Sequence, residues 1–116
     1  MACLVLVASD IGLRAAWRVE LEAHHHTVVL ASTAVAAVER LREGGIDVVV
    51  VDHEVMGGIR PLLDGLARLP DVPPLVLISG AVDAPALSAT IGAAAFVPKR
   101  GAVEELAGVV ARVTRA

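Results

Sequence analysis

Five short apolar runs alternate along the chain with longer segments in which apolar residues recur every three or four positions. The runs cover residues 3–8, 27–31, 46–51, 74–78 and 94–97. They are continuous and rich in Val, Leu and Ile, as strands of a parallel sheet are, because helices cover both faces of such a sheet. The pattern therefore predicts five parallel strands joined by crossover helices.

The segment 11–24 shows the helical pattern most clearly. Three of its apolar residues recur every four positions and are predicted to face the sheet: Leu13, Trp17 and Leu21. The polar residues between them are predicted to face water: Arg14, Arg18 and Glu22. This segment is therefore the first predicted crossover helix.

Four further helices are predicted from their capping and first-turn residues. Ser32 or Thr33 suits the N-cap of the second helix, Pro61 and Pro85 suit the first turns of the third and fourth, and the fifth covers 102–114. The strand and helix order is thus (βα) repeated five times. Because such crossovers are right-handed, we expect an α/β fold, a three-layer α/β/α sandwich whose doubly wound parallel sheet has the order 2-1-3-4-5.

Composition favours a single domain over residues 1–116. The chain is 56% hydrophobic with a formal net charge of −3, so it carries enough apolar surface to fold. No apolar run approaches the ~20 residues of a membrane span, and the apolar start lacks the basic residues of a signal peptide. We therefore expect a cytoplasmic protein without a membrane partner. The scattered basic residues form no stripe, which argues against nucleic acid as a partner.

Two further features are predicted to be structural. The single cysteine, Cys3, excludes an internal disulfide and is expected to be a reduced, buried packing residue. The three consecutive histidines at 24–26 point in different directions in any regular structure, so they are predicted to form a solvated helix end and turn instead of a metal site.

Polar residues follow three of the predicted strands at their carboxyl ends, where doubly wound sheets bind ligands. Asp52 follows the third run, Ser79 the fourth and Lys99 the fifth. A carboxylate, a hydroxyl and an ammonium that converge there suit phosphoryl chemistry, because the carboxylate can attack while the other two groups bind the transferred oxygens. The alternative is that all three are ordinary polar turn residues.

Over essentially its whole length, the chain resembles the CheY-like receiver domains of two-component response regulators. The matching stretches are LVLVASD before an Arg-bearing helix, DVVVVD, LVLISG, and GAAAFVPK before EEL, in that order and spacing. The resemblance implies a flavodoxin-like fold, Asp52 as phosphoacceptor, Ser79 and Lys99 as phosphoryl-binding residues, and Phe96 as the switch aromatic. It also implies a histidine kinase or phosphotransfer protein as partner and no enzymatic activity of the domain itself.

The chain departs from the family at the end of its first strand. Receivers carry two adjacent acidic residues there to hold Mg²⁺, whereas this chain has Ala8 and Ser9. The remaining candidate ligands are Asp52, Glu54 and, one position beyond the family's pair, Asp10. Because Mg²⁺ prefers carboxylate oxygens and phosphoryl transfer depends on charge neutralisation, we expect an impaired Mg²⁺ site and no other cofactor.

Charge is also missing from one predicted surface. Between residues 72 and 98 only Asp83 is charged, and the fourth helix carries uncharged residues at its predicted outward positions: Ala84, Ala86, Ala89 and Thr90. Exposed apolar patches mark interaction sites. In receivers the face built from helix 4, strand 5 and helix 5 is the usual output or dimer surface. The hypothesis is that this face docks an output protein or a second copy of the chain.

Two main functions stay open at this point. In the first, Asp52 accepts a phosphoryl group in a two-component phosphorelay, which the joint retention of Asp52, Ser79 and Lys99 favours. In the second, the site is silent and the domain is a phosphorylation-independent docking or dimerisation module, which the missing acidic pair favours. A small-molecule or nucleotide site of the flavodoxin type is a weaker alternative, since the chain lacks a GxGxxG motif and a P-loop. His53 is interpreted as a sequence neighbour of Asp52 and not as part of a catalytic triad.

Overall fold

Five β–α units follow one another in a computed structural model that describes residues 2–114. Each strand lies within two residues of its predicted position, and the fifth helix has the predicted bounds. The elements in chain order are β1 (Cys3–Val7), α1 (Ile11–Ala23), β2 (Thr27–Ala31), α2 (Ala34–Arg42), β3 (Val48–Asp52), α3 (Arg60–Ala67), β4 (Leu75–Ser79), α4 (Ala84–Ile91), β5 (Ala95–Pro98) and α5 (Ala102–Thr114).

The five strands form one parallel sheet in the order β2-β1-β3-β4-β5, which confirms the predicted topology. The strand order reverses between β1 and β3, whose register pairs Val7 with Val51. Asp52 pairs with Ile78 and Ser79 pairs with Pro98, so the ends of β3, β4 and β5 meet at one edge of the sheet. The register therefore sets the carboxyl ends of three strands side by side.

The sheet separates two hydrophobic cores. Leu4 and Leu6 of β1 point to the core covered by α1 and α5, and Val5 and Val7 point to the core covered by α2 and α3. Trp17 is fully buried in the first core, as its place in the α1 stripe predicts. Because β1, β3 and β4 are covered on both faces, their sequences lack alternation.

The predicted N-cap and first-turn residues lie at the starts of helices in the structure. The backbone N–H of Ala36 donates to Oγ1 of Thr33 at 3.1 Å, so Thr33 and not Ser32 caps α2. Pro61 and Pro85 each lie in a first turn, where a missing N–H costs nothing. Among residues 2–114, no helix combines the length and the apolarity that crossing a membrane requires.

Two structural expectations were wrong. Cys3 is half-buried instead of buried, because it opens β1 at the periphery of the sheet. His26 is only 5% exposed, and its Nδ1 accepts a hydrogen bond from the backbone N–H of Ala2 at 3.2 Å. The left-handed backbone of His25, with φ 68°, turns the chain sharply before β2. The histidine run is therefore only partly a solvated turn.

Candidate functional site

The centre of the carboxyl edge is an ion pair between Asp52 and Lys99. Asp52 ends β3 and is 2% exposed, and Lys99 follows β5 directly. The Nζ atom of Lys99 lies 3.1 Å from Oδ2 of Asp52 and 3.5 Å from Oε1 of Glu54. The backbone N–H of Glu54 donates to Oδ1 of Asp52 at 3.1 Å. Both oxygens of the buried carboxylate are thus held by donors.

Lys99 is the only lysine of the chain. Partial burial lowers the pKa of its ammonium, but the hydrogen bond to Asp52 and the charges of Asp52 and Glu54 outweigh this effect. The net result is a raised pKa, so Lys99 stays charged throughout the neutral range. A fixed positive charge therefore stands beside the Asp52 carboxylate.

Ser79 ends β4 at the same edge, but its hydroxyl has other partners. Its Oγ accepts a hydrogen bond from the backbone N–H of Ala81 at 3.1 Å and lies 3.0 Å from Nδ1 of His53. Ser79 is 2% exposed. The sequence predicts His53 only as a neighbour of Asp52, without a catalytic role. The structure forms no triad with it, yet places its ring against the predicted phosphoryl-binding hydroxyl.

The end of β1 carries two residues with structural duties. Ser9 donates to the carbonyl oxygen of Ser32 at 2.8 Å and accepts from the N–H of Met56 at 2.7 Å, which ties the loops after β2 and β3 to β1. The Oδ1 atom of Asp10 accepts from the N–H of Leu13 at 2.9 Å, so Asp10 is the N-cap of α1. Asp10 is exposed and turned to its own helix.

Arg14 reaches the same end of β1, contrary to its predicted position in water. It is half-buried, and its Nη1 donates to the carbonyl oxygen of Ala8 at 3.0 Å. The pairing of Val7 with Val51 places Ala8 beside Asp52 in the sheet. Side chains of a helix lean towards its N-terminus, so a long side chain in the first turn of α1 can reach back to the strand. The position of Arg14 in the first turn of α1 therefore indicates its contact with β1, whereas the spacing of apolar residues does not.

The residues at this edge do not fit a resident divalent cation. Mg²⁺ needs near-octahedral oxygen ligands, and the two side-chain carboxylates present, Asp52 and Glu54, share the ammonium of Lys99. Asp10 is used as a cap. Within residues 2–114, no cluster of three or more His, Cys, Asp or Glu side chains is arranged to hold a metal ion.

The remaining predicted residues lie on the α4–β5–α5 side. Ala86, Ala89 and Thr90 are exposed on α4, and Phe96 of β5 is half-buried beside α5. Ala84 is fully buried, so its assignment to the exposed face was wrong. Ala84 and Ser88 are four residues apart and form the buried stripe of α4, with Leu87 and Ile91 half-buried beside it.

A separate cleft of about 800 Å³ opens between α3 and α4. Its lining is mainly aliphatic, with Leu63 and Leu66 on one side and Leu87 and Ile91 on the other. None of the strand-end residues described above lines it. The cleft is thus spatially distinct from the Asp52 edge, and it gives no support to a small-molecule site at that edge.

Comparisons with solved structures identify the fold. A putative response regulator from Chloroflexus aurantiacus J-10-fl has a TM-score of 0.88 at 18% identity, and the match covers 97% of each chain. The non-phosphorylated HemR receiver domain from Leptospira biflexa has a TM-score of 0.84 at 24% identity and covers 100% of this chain and 96% of that one. The BeF3-activated N-terminal receiver domain of Klebsiella pneumoniae RstA has a TM-score of 0.83 at 21% identity. The match covers 98% of this chain and 99% of that one.

No protein-family model matches the sequence, and a search of curated proteins found no match. At the identities of these three structures, the likeness establishes the architecture and leaves the chemistry to the site. The chain therefore has the CheY-like (βα)5 fold of response-regulator receiver domains, as its motifs indicated.

Proposed function

We propose that residues 1–116 form an atypical receiver module of two-component signalling, without enzymatic activity of its own, in which Asp52 accepts a phosphoryl group. The donor is a phosphohistidine on a histidine kinase or phosphotransfer protein. A carboxylate oxygen of Asp52 attacks phosphorus and forms the new P–O bond. The P–N bond breaks, and the imidazole nitrogen of the donor leaves with the electron pair and takes up a proton.

The observation that carries this proposal is the pairing of a buried acceptor carboxylate with the only lysine of the chain, at the carboxyl edge of a receiver fold. Phosphorylation replaces one negative charge by about two. Lys99 stands 3.1 Å from the carboxylate and is the nearest cation available to the added oxygens. Ser79 lies at the end of the adjacent strand and is the proposed second oxygen ligand.

We further propose that Mg²⁺ binding at this site is weak. Receivers use an acidic pair where this chain has Ala8 and Ser9, and here Arg14 occupies the surroundings of Ala8 with a cationic group. The Lys99 ammonium beside the carboxylate and the Arg14 guanidinium at the end of β1 both oppose a second cation electrostatically. Charge neutralisation during transfer would then depend chiefly on the chain's own basic groups.

The test is intact-mass analysis after incubation with acetyl phosphate and with a panel of phosphorylated histidine kinases, with and without Mg²⁺. A phosphate adduct is expected on the wild type and on Asp64→Asn, which changes an exposed carboxylate of α3, and not on Asp52→Asn. Absence of an adduct with every donor, or an adduct that persists in Asp52→Asn, would reject Asp52 as the acceptor.

A phosphorylation-independent docking module is the second candidate. The observation in its favour is that Ser9, Ser79 and Arg14 already have protein partners at the edge where a phosphoryl group would bind. Under this alternative, Asp52→Asn leaves partner binding unchanged. Under the phosphoacceptor proposal, partner binding differs between the phosphorylated and unphosphorylated wild type, and this difference is lost in Asp52→Asn.

For either candidate, the proposed contact surface is the exposed face of α4 with β5 and α5. Ala86, Ala89 and Thr90 present no charge there. We expect the surface to bind an output protein or a second copy of the chain. Ala89→Glu is expected to abolish that association, whereas Ala36→Glu on the exposed face of α2 leaves it intact. A strictly monomeric wild type whose partner binding survives Ala89→Glu would contradict this assignment, as sedimentation and pull-down measurements can show.

A further inference from the structure

The hydroxyl of Ser79 has two protein partners before any ligand arrives. It has one proton to donate, and its oxygen already accepts from the N–H of Ala81 at 3.1 Å. Its other partner is Nδ1 of His53 at 3.0 Å. At 2% exposure, Ser79 has little access to bulk water as a substitute. Whether this hydroxyl can donate to a further oxygen is therefore decided by its contact with His53.

Two arrangements of the proton satisfy the contact between His53 and Ser79. If Nδ1 carries no hydrogen, Ser79 donates its only proton to the ring and has none left for a phosphoryl oxygen. If Nδ1 carries the hydrogen, His53 donates to Oγ and the serine proton is free to point elsewhere. The same freedom results when the ring swings away. The orientation and tautomer of His53 therefore set the donor capacity of Ser79.

The backbone fixes His53 in the position that this role requires. Its N–H donates to the carbonyl oxygen of Ile78 at 2.8 Å, which extends the ladder between β3 and β4 by one residue. This bond holds His53 beside the end of β4, next to Ser79. The His53 side chain is only half-buried, so it has a route towards solvent. Asp52 and its neighbour thus provide both the acceptor carboxylate and the partner of the hydroxyl.

We propose that His53 is a positioning residue whose Nδ1 accepts the Ser79 hydroxyl proton in the unphosphorylated domain and must release it when a phosphoryl group binds at Asp52. This inference rests on the proposed function of Asp52. A typical hydrogen bond contributes about 0.5–1.5 kcal/mol net, which corresponds to a factor of about two to ten in an equilibrium constant. Loss of the contact through His53→Leu is therefore expected to strengthen binding of a phosphoryl mimic about two- to tenfold.

The test is a double-mutant cycle on beryllofluoride affinity, measured by calorimetry on the wild type, His53→Leu, Ser79→Ala and the double variant. His53→Leu is expected to tighten binding only when Ser79 is present, since only then does it free a hydroxyl. His53→Asn, whose side-chain amide can keep a hydrogen bond to Ser79, is expected to bind like the wild type. A change in the imidazole ¹⁵N shifts of His53 in Ser79→Ala reports the contact without any ligand.

The outcomes separate the two levels of the proposal. If the wild type binds beryllofluoride but His53→Leu has no effect, or the same effect in the Ser79→Ala background, the role of His53 is wrong and the acceptor role of Asp52 stands. If the wild type binds no beryllofluoride and takes up no phosphoryl group from any donor, the proposed function fails and the role of His53 fails with it.

Discussion

The ammonium of Lys99 and the carboxylate of Asp52 form a pair whose two members differ in burial: the Asp52 side chain is 3% exposed and that of Lys99 is 21% exposed. Lys99→Met removes the cation and leaves a buried carboxylate without its main partner. We expect this change to lower the free energy of unfolding by about 2 kcal/mol, below the 3–5 kcal/mol of a fully buried pair because Lys99 is partly solvated. Urea denaturation at neutral pH, followed through the single tryptophan, measures the loss.

Two variants control this experiment. In an Asp52→Asn background the same Lys99→Met change is expected to cost much less, because no buried charge is then left unpaired. Glu54→Gln removes the other carboxylate near Lys99, but its side chain is 68% exposed, so we expect a change within about 0.5 kcal/mol. Equal costs of Lys99→Met in both backgrounds would show that the pair does not stabilise the fold.

The outline of this site could be predicted from the sequence because it depends on strand order and register. Continuous apolar runs locate the strands, and parallel strands bring Asp52, Ser79 and Lys99 to one edge whatever the details of the loops. The ion pair between Asp52 and Lys99 follows from that placement. The same reasoning predicts the two-sided burial of β3, since four consecutive valines at 48–51 precede Asp52.

The contacts around the site could not be predicted in the same way. Arg14 and His53 act through the directions of their side chains, which depend on where α1 begins and on how β3 continues past Asp52. Ser9 stands in the sequence as the replacement of an acidic residue, and nothing there indicates that its hydroxyl links two loops. The burial of Ala84 could not be predicted from its lack of charge, because a small uncharged residue can lie on either the buried or the exposed face of a short helix.

Placing an acidic pair at the end of β1 is expected to strengthen Mg²⁺ binding, because Mg²⁺ prefers carboxylate oxygens. Ala8→Asp adds a carboxylate beside Asp52 and leaves the Ser9 contacts in place, and Ser9→Asp then completes the pair. We expect each step to raise Mg²⁺ affinity by about tenfold, or about 1.4 kcal/mol. Calorimetric titration with MgCl₂ measures the affinity.

Asp10→Asn is the matched control for that series. Because Asp10 caps α1 through its Oδ1 atom, a role that Asn also fills, we expect neither Mg²⁺ affinity nor stability to change appreciably. A marked fall in Mg²⁺ affinity on Asp10→Asn would identify Asp10 as a metal ligand. Unchanged affinity in the Ala8→Asp and Ser9→Asp variants would mean that Arg14 or Lys99 excludes the cation.

His26 is expected to make the free energy of unfolding depend on pH in the mildly acidic range. Burial lowers the pKa of its imidazole below 6.5, and this outweighs the opposing effect of a backbone hydrogen bond to Ala107. The unfolded chain therefore binds a proton at a higher pH than the folded chain does. The stability present above pH 6.5 is expected to fall as the pH drops from about 6.5 through the lowered pKa.

Replacement of this imidazole should remove that part of the pH dependence. His26→Asn keeps an acceptor for the N–H of Ala2 but cannot titrate, so the free energy of unfolding should change less below pH 6.5 than in the wild type. His24→Asn, which changes an exposed histidine, should leave the wild-type profile in place. Denaturation curves collected at several pH values decide the matter, and parallel profiles for the wild type and His26→Asn would exclude His26 as the cause.

Two helical glycines are expected to respond in opposite ways to the same substitution. At Gly65 of α3, an added Cβ would overlap Cγ2 of Val38 and lie 2.8 Å from its Cγ1, because α2 and α3 pack closely there. Val38 is β-branched and cannot easily turn aside, so Gly65→Ala is expected to cost about 1–3 kcal/mol despite the better helix propensity of alanine.

At Gly108 of α5, no atom lies within 4 Å of the added Cβ. Gly108→Ala is expected to stabilise the protein by about 0.5–1 kcal/mol. Thermal and urea unfolding of both variants test this contrast, and Val38→Ala should relieve most of the cost at Gly65. A stabilising Gly65→Ala would mean that the two helices can separate without loss.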